Sequence, residues 1–366
     1  MNRTIQNILF IELLGGIGDG LIALPAIQAL GRTYPTARLT ILTFAPVAEL
    51  LCSDPLIHTI ITVDRSSTHQ SQPVRKAVEV VLEDHSFDLI VSDTNYDGIA
   101  QLIQSRRALW TITNLWQSPP SDQRVGGRFL EILLMEKVIS AESITSPQLY
   151  LTATEIQQAQ QILHHCPSPL IVLIPDAGMV IKRWPPANFG ILGQMLQQQY
   201  DATVVIPVGE NPATATQIAS LIGSNVRIWP RGSLRELAAL LAIADLAIAS
   251  DTGPARIAAA LNTPTITLFG PSWHERYGQP APHINLQGYS DCPERDVRNF
   301  TTQRCWYGGE CPFDRWHTCL EDITPDTVFA AAVPFLTAAT LLSPDRCSNA
   351  QRPHCQIHHG IRTSVS

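Results

Sequence analysis

Nowhere in the 366-residue sequence do 18 apolar residues follow one another, so no segment reads as a membrane-spanning helix. The two longest apolar stretches fail for identifiable reasons: 237–249 is interrupted by Asp245, and 328–342 is short and carries Pro334. The opening residues, MNRTIQNILFIELLGG, contain a brief apolar run with no small-residue cleavage site behind it. That pattern predicts a first strand rather than a secretory leader, and so a cytoplasmic protein. Basic residues are not in excess. The formal charge of −7 argues against a protein that coats nucleic acid, while leaving room for a local basic patch around a phosphate. Charge is sparse altogether, at 16% of residues against 45% apolar, so the chain can bury substantial cores and is not disordered as a whole. Eight cysteines are too few for a disulfide-built scaffold of this length.

What is present is an alternation of strands and helices that runs twice. In the first half, short apolar runs at Ile8–Leu13, Leu39–Thr43, Thr59–Val63, Leu89–Ser92 and Leu109–Thr113 predict strands, and Leu21–Leu30 has helical spacing. In the second half, strands are predicted at Leu170–Ile174, Thr203–Pro207, Val226–Ile228, Leu246–Ala249 and Thr265–Phe269, with helices over 186–199, 212–222, 233–243 and 254–261. Continuous apolar strands separated by helices predict parallel sheets covered on both faces. Two doubly wound α/β units follow, with ligands expected at the carboxyl ends of the strands and in a cleft between facing domains. The boundary is placed near 165, giving a first domain over 1–165 and a second over 166–322, with 323–342 as a C-terminal helix and 343–366 as a disordered tail. That tail holds Cys347, His354, Cys355, His358 and His359, a composition compatible with metal binding.

The loop Gly15-Gly16-Ile17-Gly18-Asp19-Gly20 lies between the first strand and the first helix. It is not a dinucleotide fingerprint, because Leu21 stands where the third glycine belongs and Asp19 would repel a pyrophosphate. Gly16 and Gly18 let a ligand approach the backbone, and Asp19 is either a base presented to it or a helix cap. In the second half, Pro175-Asp176-Ala177-Gly178 leads to Lys182-Arg183-Trp184-Pro185, a cationic pair just ahead of a helix and a candidate diphosphate site. Glu210, after the next strand, can accept ribose hydroxyls or cap a helix. Ser250-Asp251-Thr252-Gly253-Pro254 ends a strand and opens a helix, where free N–H groups, the Thr252 hydroxyl and Arg256 suit an anion. Phe269-Gly270-Pro271-Ser272 could line a base or sugar pocket. No tyrosine is followed four positions later by lysine, which with the broken glycine spacing disfavours a nucleotide-dependent oxidoreductase or epimerase.

Taken together these segments resemble glycosyltransferase family 9, the ADP-heptose:lipopolysaccharide heptosyltransferases. The resemblance is carried by LGGIGDGLIALP at 14–25, KRWP at 182–185, SDTGPARIAAA at 250–260, NTPTITLFGP at 262–271 and CLEDITP at 319–325, and spans residues 5 to about 336. It implies a GT-B fold of two facing Rossmann-like domains, with the last helix returning to the first. It also implies a metal-independent, inverting transfer from a nucleoside-diphosphate sugar, by family default ADP-heptose, to a hydroxyl of a lipopolysaccharide-core-like or other cell-surface glycan. No cofactor is implied beyond the donor, and no nucleic acid; a glycolipid acceptor would bring peripheral contact with the inner membrane. By matched motif, Asp19 is the general base and Lys182 neutralises the diphosphate. Thr252 and Gly253 bind phosphate, Asp251 orients the donor and Glu210 holds the ribose. A catalytically silent nucleotide-sugar-binding homologue, or a transferase of another sugar, is the alternative.

This sequence departs from the family pattern at named places. Arg256 stands where histidine is expected, and keeps a phosphate ligand but cannot shuttle a proton. Asp176 stands where glycine is usual and helps only if its carboxylate points away from a diphosphate. On the acceptor side, Arg124 and Arg128, flanking an expected Gly126–Gly127 loop, are the candidate ligands. Cys292, Cys305, Cys311 and Cys319 fall close together without the paired spacing of a zinc site, so metal, disulfides and packed thiols all stay open and no metal ligands are assigned.

Overall fold

A computed structural model describes residues 4–64, 72–116, 120, 123–313, 317–341 and 356–358. The chain divides into two compact units. The first holds residues 1–118, 125–152 and 351–366, and the second 119–124 and 153–350.

The first unit is built on a parallel sheet of six strands: β1 Asn7–Glu12, β2 Arg38–Phe44, β3 Thr59–Val63, β4 Leu89–Ser92, β5 Trp110–Ile112 and the short Gln356–His358. Written by first residue, the order across the sheet is Gln356, Thr59, Arg38, Asn7, Leu89, Trp110. Phe10 pairs with Ile41 on one side and Val91 on the other. Residues 8–12 are wholly buried, as expected for a central strand with both faces covered. The chain runs β1, β2, β3 outward, then crosses to the other side of β1 as β4. The carboxyl ends of β1 and β4 therefore flank the topological switch point, where doubly wound sheets place ligands.

Helix Ile17–Thr33 follows β1 and is buried along nearly all of Gly20–Gly31. Close crossings explain two glycines. A Cβ on Gly20 would meet Val47 at 2.6 Å, and one on Gly126 would meet the Ile22 carbonyl oxygen at 3.0 Å. Gly126 and Gly127 are thus part of helix Val125–Met135, packed on the first helix, and not the loop expected from sequence.

The second unit repeats the architecture with β6 Leu170–Ile174, β7 Thr203–Pro207, β8 Val226–Trp229, β9 Leu246–Ser250, β10 Thr265–Phe269 and β11 Ile284–Gln287, in the order β11-β10-β9-β6-β7-β8, all parallel. Its switch point lies between β6 and β9. Helices Pro186–Tyr200 and Pro212–Ile222 cover one face, with Trp184 and Phe189 in an edge-to-face contact in the core.

Three expectations about organisation differ from the structure. Helix Ala153–Ile162 belongs to the second unit, held there by packing on helix Leu234–Ile243 and by the Glu155–Arg235 ion pair, so the division falls at 152 rather than 165. Helix Pro325–Leu341 packs on Pro186–Tyr200, burying Val328, Ala332 and Leu336 in the second unit's core, where the reading sent it back to the first. The tail, expected to be disordered, contributes residues 356–358 as a strand paired with β3. Its Cys347, His354, Cys355 and His359 lie outside the described residues.

Candidate active site

In the first unit, Gly15 takes a left-handed backbone (φ 108°) that turns the chain out of β1. Gly16 then caps the helix, and Asp19, three residues on, accepts the Gly16 N–H through Oδ2 at 3.1 Å. Asp19 therefore does cap the helix. It remains partly exposed, as do Gly16 and Gly18, so the same carboxylate is also available to a ligand over the loop.

In the second unit the candidate residues gather at the ends of β6 and β9. Lys182 closes a single 3-10 turn, Val180–Lys182, and donates from Nζ to Asp251 Oδ2 at 2.7 Å. Ser272 Oγ donates to the same oxygen at 2.6 Å, and Arg256 Nη2 reaches Oδ1 at 3.5 Å. Asp251, 8% exposed, is thus the hub of two cations and a hydroxyl. Burial works against its charge, but Lys182 and Arg256 outweigh that and hold its carboxyl below the usual carboxylate range. The Lys182 ammonium also lies 5.0 Å from the centre of the Trp306 ring, a cation–π contact between residues 124 positions apart that leaves no signal in local spacing. Arg256 is fixed by the Tyr277 carbonyl, which accepts from Nη2 at 2.6 Å.

Thr252 is the N-cap of helix Gly253–Ala260, but its side chain makes no capping bond, and its Oγ1 is buried without a partner among the described residues. A hydroxyl that neither caps nor pairs, next to a free helix N-terminus and two cations, is placed as a phosphate ligand would require. Arg183 donates from Nε to the Ala177 carbonyl at 3.0 Å and comes within 3.9 Å of Glu210. Glu210 itself is exposed, as is Gly178, while Ala177 is buried.

Asp176 answers the question its presence raised. Its carboxylate lies over Gly209 at the end of β7, so close that a Cβ there would sit 1.7 Å from Oδ2. Gly209 is the residue that makes room for it.

The predicted acceptor arginines do not stay together. Arg124 falls in the second unit and spends Nε and Nη2 on the Gly278 and Gln279 carbonyls, whereas Arg128 is on the first and pairs with Glu131 at 2.6 Å. Cys292, Cys305, Cys311 and Cys319 are free thiols lining one small cavity with Arg295. Burial pushes Cys305 up to about 11 and Cys319 up to about 12, the values of inert packed thiols.

Residues 131–300 match the family described as Glycosyltransferase family 9 (heptosyltransferase). Lipopolysaccharide heptosyltransferase 3 of Escherichia coli is 25% identical over 307 residues, covering 77% of this chain and 90% of that protein. Among solved structures, the glycosyl transferase family 9 protein from Veillonella parvula DSM 2008 superposes with a TM-score of 0.75 at 17% identity, covering 92% of this chain and 99% of that one. The E. coli ADP-heptose lps heptosyltransferase II superposes with a TM-score of 0.66 at 18% identity, covering 92% and 100%. Both structures share the two-sheet α/β fold described above.

Proposed function

Because the chain belongs to glycosyltransferase family 9 and is a glycosyltransferase, we propose that it transfers a heptose-type sugar from an ADP-linked donor to a hydroxyl of a lipopolysaccharide-core-like acceptor, with inversion and without a metal. The observation that carries this reading is the Asp251 hub: two cations and an unpartnered Thr252 hydroxyl at the start of helix Gly253–Ala260.

The chemistry follows from where charge develops. As the bond from the anomeric carbon to the diphosphate oxygen breaks, negative charge accumulates on the leaving nucleoside diphosphate. Lys182 has three N–H donors and uses one on Asp251, so others remain for the diphosphate. The Gly253 N–H, the Thr252 hydroxyl, Arg256 and Arg183 complete an anion site in which these groups take the part that a divalent metal plays elsewhere. One such preorganised donor is worth roughly 3–4 kcal/mol at the transition state. Ribose hydroxyls fall to Glu210, swinging in from its exposed position, with Ala177 and Gly178 as the backbone floor.

On the first unit, Asp19 takes the proton of the attacking acceptor hydroxyl as its oxygen bonds to the anomeric carbon. A single displacement of this kind inverts the configuration. General-base assistance contributes about 10²–10⁴-fold. Gly16 and Gly18 leave the backbone open to the sugars, and Arg128, on the same unit as Asp19, is the candidate for an anionic acceptor. The acceptor, if lipid-linked, brings the protein to a membrane surface; no helix among the described residues is long and apolar enough to cross one.

Calorimetric titration with ADP, UDP, GDP and their sugars, with and without EDTA, tests the reading. EDTA-insensitive binding of ADP that is weakened in Lys182→Ala is the expected result. Preference for UDP or GDP sinks the ADP-linked donor. Nucleotide binding without transfer favours a silent homologue, and absence of any nucleotide binding overturns the donor site.

A further inference from the structure

The switch point of the first unit holds two carboxyl groups that the mechanism above does not use. Glu12 is the last residue of β1, and Asp93 directly follows β4. The strands are parallel with Ile11 opposite Ser92, and the Asp93 N–H donates to the Ile11 carbonyl at 3.2 Å, so the next pair in register is Glu12 beside Asp93. Both side chains are essentially sealed from solvent, at 0% and 1% exposure. Among the described residues, no lysine, arginine or histidine forms an ion pair with either.

Their hydrogen bonds account for only part of their capacity. Glu12 Oε2 accepts from Thr43 Oγ1 at 2.7 Å, and Oε1 accepts the Leu14 N–H at 3.3 Å. Asp93 Oδ1 accepts from Thr94 Oγ1 at 2.9 Å, but Oδ2 is buried with no partner among the described residues. Two adjacent carboxylates in a dry site, with no cation and one oxygen unsatisfied, cannot both carry charge near neutrality. The same groups are tied to the loop that carries Asp19. Glu12 holds the Leu14 N–H at one end and Asp19 holds the Gly16 N–H at the other. The Leu13 peptide between strand and loop donates to Thr94 Oγ1 at 2.7 Å and accepts from the Tyr96 hydroxyl at 2.6 Å.

We propose that Glu12 and Asp93 share one proton at neutral pH and act as a positioning pair, fixing the Leu14–Gly16 turn at the start of the first helix and raising the proton affinity of Asp19 by the single negative charge they retain. This rests on the reading of Asp19 as the general base. Among the described residues, the groups facing the pair are Asp19 from the first helix, the Thr43 hydroxyl from β2 and the Thr94 hydroxyl after β4. Asp19 is therefore the titratable group coupled to both. Burial, then the Asp19 charge, pushes Glu12 up to about 7, against the opposing Thr43 bond, and burial with Glu12 pushes Asp93 well above the usual carboxylate range. One negative charge behind Asp19 makes it a stronger base without placing a second carboxylate in the ligand's path.

Carboxyl carbon-13 NMR titration of the full chain tests this without any substrate, with Asp19, Glu12 and Asp93 signals assigned by Asp19→Asn, Glu12→Gln and Asp93→Asn. In the wild type, the pair should release its last proton only near or above pH 7. In the double variant Glu12→Gln/Asp93→Asn, which removes the retained charge, the Asp19 midpoint should fall, a loss of about tenfold in proton affinity per unit. Should the double variant fail to fold, Thr43→Val supplies a second arm: it removes the hydroxyl that supports ionised Glu12 and should raise the Glu12 midpoint further. Both carboxyls titrating below pH 5, or an Asp19 midpoint indifferent to the pair, overturns the proposal. Transfer that survives Asp19→Asn overturns the base assignment instead, and with it the catalytic purpose of the pair.

Discussion

The Trp184 indole N–H donates to the Ile323 carbonyl at 2.9 Å, joining two segments 139 residues apart. Trp184 is 1% exposed and follows directly after Lys182-Arg183; Ile323 ends the turn that Thr318 opens. A second tie runs in parallel, from Thr318 Oγ1 to the Ile181 carbonyl at 2.6 Å. The KRWP and CLEDITP segments are thus one structural device, in which the second braces the loop that presents Lys182. Trp184→Phe keeps the edge-on packing against Phe189 but leaves the Ile323 carbonyl buried and unpaired. The expected loss is about 1–3 kcal/mol of unfolding free energy. Denaturant melts should show it, and calorimetry should show weaker ADP binding, because Lys182 loses its backing.

Asp251 gives a prediction with a definite sign in pH. Its carboxyl is held below the usual range in the folded state, so it contributes stability that is fully present above the unfolded carboxylate value, near 4, and is lost as pH falls through the folded value. Asp251→Asn removes the counter-charge from Lys182 and Arg256 together. Breaking a buried pair on one side costs roughly 3–5 kcal/mol. Thermal melts from pH 7 to 3 should therefore start lower for the variant and fall less steeply with acid. Parallel curves would assign the wild type's acid sensitivity to other groups.

Most strands were legible because central parallel strands are apolar on both faces, and β6, β7 and β10 fall where the apolar runs place them. The marginal strand β11, INLQ, carries no such run and was missed. Unit membership was not legible. Nothing in the spacing of 153–164 says that Glu155 meets Arg235, 80 residues on, and that contact carries the helix across the expected boundary. At the site, residue types and strand-end positions pointed to Lys182, Asp251, Thr252 and Arg256, which the fold does bring together. Asp176 and Arg124 show the limit. What each side chain meets, Gly209 in one case and the 278–279 carbonyls in the other, depends on contacts distant in sequence. Glu12 and Asp93 left a faint signal, a carboxylate closing each of two otherwise apolar strands, which gains meaning only once those strands are neighbours.

Asp19 has two roles with separable consequences. As a cap it accepts the Gly16 N–H, and its loss should lower stability by about 1 kcal/mol. As a base it should support about 10²–10⁴-fold in transfer rate. Asp19→Ala is expected to show both effects while binding ADP within a factor of about two of wild type. A small stability loss with near-normal transfer would leave Asp19 as a cap alone.

Lys182 differs from Asp19 in that it serves ground state and transition state together. Lys182→Ala removes the ammonium from the diphosphate and also leaves Asp251 held by Arg256 and Ser272 alone. ADP affinity should fall, and the transfer rate should fall further, by roughly 10²–10³-fold, because the charge on the leaving diphosphate is largest as the bond breaks. Lys182→Arg separates charge from geometry. The guanidinium restores the positive charge but not the compact ammonium that reaches Asp251 at 2.7 Å beside the Trp306 ring. Lys182→Arg should therefore recover nucleotide affinity while recovering little of the rate. Equal recovery of both would mean that charge alone suffices and that the position fixed by Asp251 and Trp306 is incidental to catalysis.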